Sequence, residues 1–281
     1  MEIFKQIAPL KAFIEGIKKS NKTIGLVPTM GALHDGHISL VKASKSRNSV
    51  TIATIYINPT QFNNAGDLLK YPKTLAKDVE MLEKVGCDVV FCPDDQEMYA
   101  EKSIITIDFG YLDKVMEGKF RPGHFSGVAL VVSKLFNIVQ PDTAYFGQKD
   151  WQQFAIIRRL VDELKFSLSL FSAPILREPN GLAMSSRNLR LTEKQRENAT
   201  VFYKALLMAR ECLNSGKDLQ IVKNDVLAMV QQTPEMSLEY FELTDSKNLN
   251  LLKSVDKAHK PILCIAGYAG EVRLIDNMFL D

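Results

Sequence analysis

The sequence predicts an α/β protein, with a parallel β-sheet covered by helices and a smaller α+β segment after it. Three observations predict this. Short, nearly continuous apolar runs rich in β-branched residues alternate with helical periodicity through the first part of the chain, as strands buried on both faces require. The alternation stops near Leu176, where turn residues take over. Polar clusters follow three of the apolar runs, at the carboxyl ends of strands where parallel sheets bind ligands.

The elements follow in order. Phe4, Ile7, Leu10, Phe13, Ile14 and Ile17 fall at helical spacing, so residues 4–17 predict an opening amphipathic helix. Thr23–Pro28 predicts a buried strand, and Ile38–Ser46 a helix after a glycine-rich turn. Val50–Ile57 reads as a strand, Thr74–Lys84 as a helix and Asp88–Cys92 as a short strand. Phe125–Val139 predicts a helix, Thr143–Phe146 a strand, Asp150–Leu164 a helix and Leu168–Ala173 a strand. Arg177–Asn188 reads as a loop. A long helix over Thr192–Asn214 and another over Leu219–Gln231 come next, then strands at Leu238–Thr244, Pro261–Ala266 and Glu271–Ile275. These readings place a domain boundary near residue 176, giving domains 1–176 and 177–281.

Composition narrows the function. A length of 281 residues with 46% hydrophobic and 24% charged residues supports a folded core and excludes a disordered or collagen-like chain. Lys plus Arg number 35 against 33 Asp plus Glu, so net charge gives no case for nucleic acid or an anionic membrane as the main partner. No apolar run approaches a membrane span, and Met1–Ser20 lacks the pattern of a signal peptide. Cys87, Cys92, Cys212 and Cys264 form neither paired nor zinc-type spacing, so free thiols in a reducing cytoplasm are expected.

The first polar cluster is Pro28-Thr-Met-Gly-Ala-Leu-His34-Asp-Gly36-His37, between a strand and a helix. A helix N-terminus offers unpaired N–H groups and partial positive charge, which suit phosphate. Two imidazoles there can donate to phosphate oxygens and stabilise a departing pyrophosphate. The spacing matches neither the dinucleotide fingerprint nor the Gly-Lys-Ser/Thr phosphate loop, so histidines would do part of the holding. A solvated turn carrying two surface histidines is the competing reading, and a metal pair lacks a third ligand.

Gly147-Gln148-Lys149-Asp150-Trp151-Gln152-Gln153 also opens a helix after a strand. Asp150 could cap it, Lys149 could meet a phosphate oxygen, and Gln153 could face the same cleft one turn on. Met184-Ser185-Ser186-Arg187-Asn188 could clamp an anion, or could be a polar linker. In Asn58-Pro59-Thr60-Gln61-Phe62, Gln61 offers an acceptor and a donor to a hydroxy acid, beside the apolar Phe62. Glu117-Gly-Lys-Phe-Arg121-Pro-Gly-His124-Phe125, with two glycines and a proline, reads as a flap.

Taken together, the blocks Pro28–Leu40, Ile57–Phe62, Glu117–Val128, Tyr145–Gln153 and Arg177–Asn188 closely resemble the pantothenate synthetase (pantoate–β-alanine ligase) family, in its order and at its spacing. The C-terminal part matches mostly in length and pattern. The resemblance implies a Rossmann-like nucleotidyltransferase fold with a C-terminal lid domain. It implies ATP-dependent condensation of (R)-pantoate with β-alanine through a pantoyl-adenylate, giving pantothenate, AMP and pyrophosphate. It also implies Mg²⁺ and a homodimer.

Carried over residue by residue, Met30, Gly31, Ala32, Leu33, His34, Asp35, Gly36 and His37 would line the ATP site. His37 would donate a proton to the leaving pyrophosphate, and His34 would bind phosphate. Gly147, Gln148, Lys149 and Asp150 would hold ribose and phosphates, with Lys149 stabilising charge at the α-phosphate. Met184, Ser185, Ser186 and Arg187 would close on the triphosphate, and Leu176 would contact adenine. Gln61 and Gln153 would hold pantoate, Phe62, Val131, Val132 and Phe146 would pack its gem-dimethyl group, and β-alanine would attack near Gln61.

Departures from the family pattern are Trp151 for a common Tyr, Lys73 for a common Arg and Leu130 for a frequent Thr. Asp78 could neighbour Mg²⁺, but a solvated helix residue is the favoured reading, so no protein ligand for a metal is assigned. The alternatives are a nucleotidyltransferase acting on another small acceptor, and a nucleotide sensor without catalysis. The first would not need Gln61, Phe62 and Gln153; the second would have lost His34, His37, Lys149 or Arg187, all of which are present. A tRNA-charging enzyme would need an RNA-binding module that the chain does not display.

Overall fold

A six-stranded parallel sheet carries the first part of the chain, in a computed structural model that describes residues 1–280. In chain order its elements are β1 (Glu2–Phe4), α1 (Ile7–Lys19), β2 (Ile24–Thr29), α2 (Asp35–Lys45), β3 (Val50–Ile55), α3 (Ala65–Leu69) and α4 (Leu75–Lys84). Then come β4 (Val89–Phe91), α5 (Asp95–Met98), α6 (Met116–Phe120), α7 (His124–Val139), β5 (Thr143–Gly147), α8 (Trp151–Leu164) and β6 (Ser169–Ala173). The strand order is β1-β4-β3-β2-β5-β6. Ile24 lies opposite Val50 on one side of β2 and Gly25 opposite Thr143 on the other, so the order reverses direction around β2. The loops after β2, β3 and β5 therefore share the carboxyl edge of the sheet.

Side chains alternate across each strand. Val27, Ala53, Val90 and Tyr145 face one side, where Ile38 and Val41 of α2 and Leu82 of α4 cover them. Phe146, the neighbour of Tyr145, faces the opposite side. α7 packs against β2 and α1 and carries an almost wholly apolar, buried sequence.

The rest of the chain forms α9 (Glu193–Asn198), α10 (Val201–Asn214), α11 (Leu219–Gln231) and an antiparallel sheet of β7 (Met236–Asp245), β8 (Pro261–Ala269) and β9 (Val272–Phe279) in that order. Phe202 and Leu206 of α10 and Val222 and Val226 of α11 bury against Leu263 and Ile265 of β8. The fold class is therefore the α/β sheet plus α+β tail that the sequence predicts. Packing groups Met1–Gln148 with Ile156–Pro174 in one unit, and Lys149–Ala155 with the chain from Ile175 onward in the other.

Several local readings change. β1 adds a short edge strand beside β4, where the sequence showed only helix. α2 begins at Asp35 rather than Ile38, because His34 caps it. The long helix over 192–214 is two helices, broken at Ala199 and Thr200, where Thr200 Oγ1 donates to the Glu197 carbonyl. The segment read as a flap is anchored: Glu117, His124 and Phe125 are buried. All four cysteines are free; Cys87 and Cys264 are buried and the other two half-buried. Among the described residues no helix is long and apolar enough to cross a membrane.

Candidate active site

The turn after β2 is built by its own histidines. His34 is the N-cap of α2, with extended backbone, and its Nδ1 accepts from Gly36 N at 3.1 Å. His37, three residues on, accepts from His34 N through its own Nδ1 at 3.3 Å. This is a reciprocal capping box made from imidazoles instead of the usual hydroxyl and carboxamide. The rings lie 4.1 Å apart, tilted by 46°. Because each Nδ1 accepts a backbone N–H, each neutral ring carries its proton on Nε2. The cap thus makes both histidines Nε2–H donors at the positive end of a helix, which suits polyphosphate oxygens.

The preceding loop is tied from below. Asp78 on α4 is 1% exposed, which overturns its reading as a solvated residue. Its Oδ2 accepts from Ala32 N at 2.9 Å and its Oδ1 from Leu33 N at 2.8 Å, and Thr74 Oγ1 donates to it as well. Ala32 sits at φ 49°, a left-handed conformation costly for a residue with Cβ. The carboxylate holds that strained turn in place.

After β3, residues 59–61 form a single 3-10 turn. Gln61 is buried; its Nε2 donates to Met30 Sδ at 3.1 Å, and its Oε1 accepts from Asn58 Nδ2 at 3.2 Å. Asn58 also donates to the Gly127 carbonyl at 3.1 Å and accepts from Tyr99 OH at 2.9 Å. α7 runs so close here that a Cβ on Gly127 would stand 2.3 Å from the Thr60 carbonyl oxygen. Val131 is one turn further along the same face, and Val132, Val131 and Phe146 are all buried. Phe62 stacks edge-on against Tyr71 with centroids 5.8 Å apart. The Gln61–Met30 contact therefore links the turns after β2 and β3, and Phe62, Val131, Val132 and Phe146 belong to the same unit.

Of the other expected residues, Gly147 and Gln148 belong to the first unit, and the rest belong to the second. Lys149 is largely buried at its side chain and lies 3.9 Å from Asp150. Its carbonyl accepts from Asn277 Nδ2 at 2.7 Å, and Trp151 Nε1 donates to the Ser246 carbonyl at 3.1 Å. Gln153 lies on the same stretch of α8, within Lys149–Ala155. Arg177 makes a two-pronged pair with Asp276 at 2.6 and 3.0 Å and lies over the Tyr203 ring. Burial pushes the Asp276 carboxyl up, while Arg177, the Asn277 N–H and the Lys149 charge oppose that shift. Met184 N donates to the Leu176 carbonyl, and Ser185 Oγ caps a 3-10 turn over Ser186–Arg190 by accepting from Arg187 N at 3.2 Å. Asn188 ties the loop to Glu178, which Arg196 holds in turn.

Among the described residues no three His, Cys, Asp or Glu side chains gather as a metal cage. Asp78 spends both oxygens on backbone N–H groups, and imidazoles suit Mg²⁺ poorly.

Sequence reasoning missed Asn58, Asp78, His124, Arg177, Asp276 and Asn277 as parts of this framework. Each holds another residue's backbone or side chain. Only Asp78 left a trace: it precedes buried Leu82 by four residues and so shares its helix face.

The Pantoate-beta-alanine ligase family model matches residues 2–279. The chain belongs to the pantoate–β-alanine ligase family. It is 47% identical to the pantothenate synthetase of Azobacteroides pseudotrichonymphae over 279 residues, 99% of each chain. It is 44% identical to that of Thermosipho africanus over 281 residues, all of both chains. The crystal structure of the Thermus thermophilus pantothenate synthetase superposes with a TM-score of 0.93 at 36% identity, covering 100% of this chain and 99% of the other. The Francisella tularensis pantoate–β-alanine ligase, complexed with β-γ ATP and β-alanine, gives 0.83 at 34% identity, covering 100% and 98%. Members of this family are carbon–nitrogen ligases, and this chain is one of them.

Proposed function

We propose that the turns described above carry out the two halves of the family's reaction, the ATP-dependent joining of pantoate and β-alanine through a pantoyl-adenylate. A carboxylate is a poor electrophile, so its oxygen first attacks the α-phosphorus. The α–β phosphoanhydride bond breaks and pyrophosphate leaves with the electron pair. The β-alanine amine then attacks the acyl carbon, the acyl C–O bond breaks, AMP leaves and the amine sheds its proton.

The observation that carries the residue roles is the imidazole capping box. It makes Nε2 the N–H donor of both rings at one helix terminus. His37 donates to the departing pyrophosphate and His34 binds phosphate. Met30, Gly31, Ala32, Leu33, Asp35 and Gly36 complete that side of the ATP site. Lys149 offsets charge at the α-phosphate. Gly147, Gln148 and Asp150 hold ribose and phosphates, Met184, Ser185, Ser186 and Arg187 hold the triphosphate, and Leu176 meets adenine.

Gln61 and Gln153 hold pantoate, and Gln61 also meets β-alanine. Phe62, Val131, Val132 and Phe146 take the two methyls, worth about 1.5 kcal/mol at ~0.8 per carbon. Residues 177–281 act as a lid that limits hydrolysis of the adenylate. Mg²⁺ arrives as part of the nucleotide substrate. The protein works as a homodimer in the cytoplasm.

The test is pyrophosphate release from ATP and (R)-pantoate, with and without β-alanine. A single turnover without the amine, and sustained AMP formation with it, is the expected result. Release that does not depend on pantoate would return the chain to the nucleotidyltransferase alternative.

A further inference from the structure

The buried His124 has partners that determine its protonation. Its Nε2 lies 3.0 Å from Arg121 NH1, and its Nδ1 lies 2.7 Å from the Gln61 carbonyl oxygen. A guanidinium carries only donors, so Nε2 must be the acceptor of that bond. A carbonyl oxygen accepts only, so Nδ1 must carry the proton. Both bonds are satisfied by one species, the neutral Nδ1–H tautomer. The imidazolium would set an N–H against the guanidinium, and it would do so at the positive end of α7, which His124 opens. Glu117 Oε2 stands 3.7 Å from Arg121 NH1 and balances that charge. All three side chains are largely buried, Arg121 at 16% and Glu117 at 8% exposed.

We propose that His124 is a positioning residue for Gln61, locked by Arg121 as the neutral Nδ1–H imidazole. Two contacts hold the Gln61 turn on α7. The ring holds the Gln61 carbonyl, and one turn along, the Gly127 backbone lies against Thr60 and accepts from Asn58. The Gln61 backbone is thus placed from α7, and from that fixed position its carboxamide meets Asn58 and Met30. This rests on the reading that Gln61 holds pantoate. The tautomer is opposite to that of His34 and His37, whose caps place the proton on Nε2.

The experiment has two arms. In the first, the full-length protein labelled with ¹⁵N-histidine is examined by long-range ¹H–¹⁵N correlation at pH 7.5. The histidine signal that vanishes in His124→Asn should show the neutral Nδ1–H pattern. An Nε2–H or imidazolium pattern for His124 overturns the proposal. In the second, KM values are compared for His124→Leu and His124→Asn, because the Asn amide nitrogen reaches about where Nδ1 lies.

The Leu variant should raise the KM for pantoate about fivefold to tenfold, the worth of one hydrogen bond, with the KM for ATP unmoved. The Asn variant should recover most of that loss. Equal effects from Asn and Leu, or parallel rises in both KM values, would make His124 a plain core residue and overturn the proposal. An unchanged pantoate KM in Gln61→Ala overturns the Gln61 reading alone, because the spectroscopic arm reads the ring without any substrate.

Discussion

Replacing Asp78 by Asn tests whether a buried carboxylate holds the loop proposed to bind ATP. In the native protein Oδ2 takes Ala32 N and Oδ1 takes Leu33 N, at 2.9 and 2.8 Å. An amide offers one oxygen, so one of those backbone donors must face an NH₂ group. A buried donor left unmade costs about 1–3 kcal/mol, and losing a charged acceptor from the other bond adds roughly 1. The expected loss is therefore about 2–4 kcal/mol. Ala32 stores left-handed strain at φ 49°, so the loop can relax once released and need not unfold the whole domain.

If about 2–3 kcal/mol of that loss falls on the loop, the KM for ATP rises on the order of 30- to 150-fold. Steady-state kinetics with varied ATP, and urea unfolding followed by circular dichroism, measure the two shares. Asp78→Asn with native ATP affinity and a native urea midpoint would refute the reasoning.

Three further outcomes are expected. His37→Ala should slow pantoate-dependent pyrophosphate release about 10²–10³-fold in a single turnover, as loss of a donor made for the transition state does; an unchanged rate removes His37 from the chemistry. Gly127→Ala puts a Cβ at 2.3 Å from the Thr60 carbonyl oxygen, so α7 and the Gln61 turn must part, at about 1–3 kcal/mol of stability and with a raised pantoate KM. Wild-type values for both would show that the contact yields freely. Burial pushes the Cys87 thiol from 9.0 up to about 11. The unfolded chain ionises first, so about 3 kcal/mol of stability present below pH 9 is lost as pH rises to about 11, at 1.36 kcal/mol per unit. Cys87→Ala should flatten that slope in pH-dependent urea unfolding, and an equal slope would discount the thiol.

The parallel sheet was legible because strands covered on both faces are nearly continuous runs of apolar and β-branched residues, as Val50–Ile55 is. β1 was not, because three residues at an edge carry no period and Phe4 also fits a helical spacing. The start of α2 was missed because the cap is an imidazole rather than Ser, Thr, Asp or Asn. The polar clusters were legible from residue type and their place after strands. Their supports were not. Asp78, Asn58 and His124 act on backbone groups distant in sequence, and only the folded register shows which carbonyl or N–H each one meets.

Trp151 bears on how this protein can be divided. It is the chain's only tryptophan. Its indole donates to the Ser246 carbonyl and meets Phe279 edge-on at 5.0 Å, while Asn277 grips Lys149 two residues earlier. A fragment starting at Ile175 would carry the socket without the plug, and a fragment ending at Pro174 would carry the plug without the socket. No single cut frees either unit whole. A chimera that exchanges the later part of the chain must bring a matching 149–155 with it, and split halves would report their own reunion through the one indole.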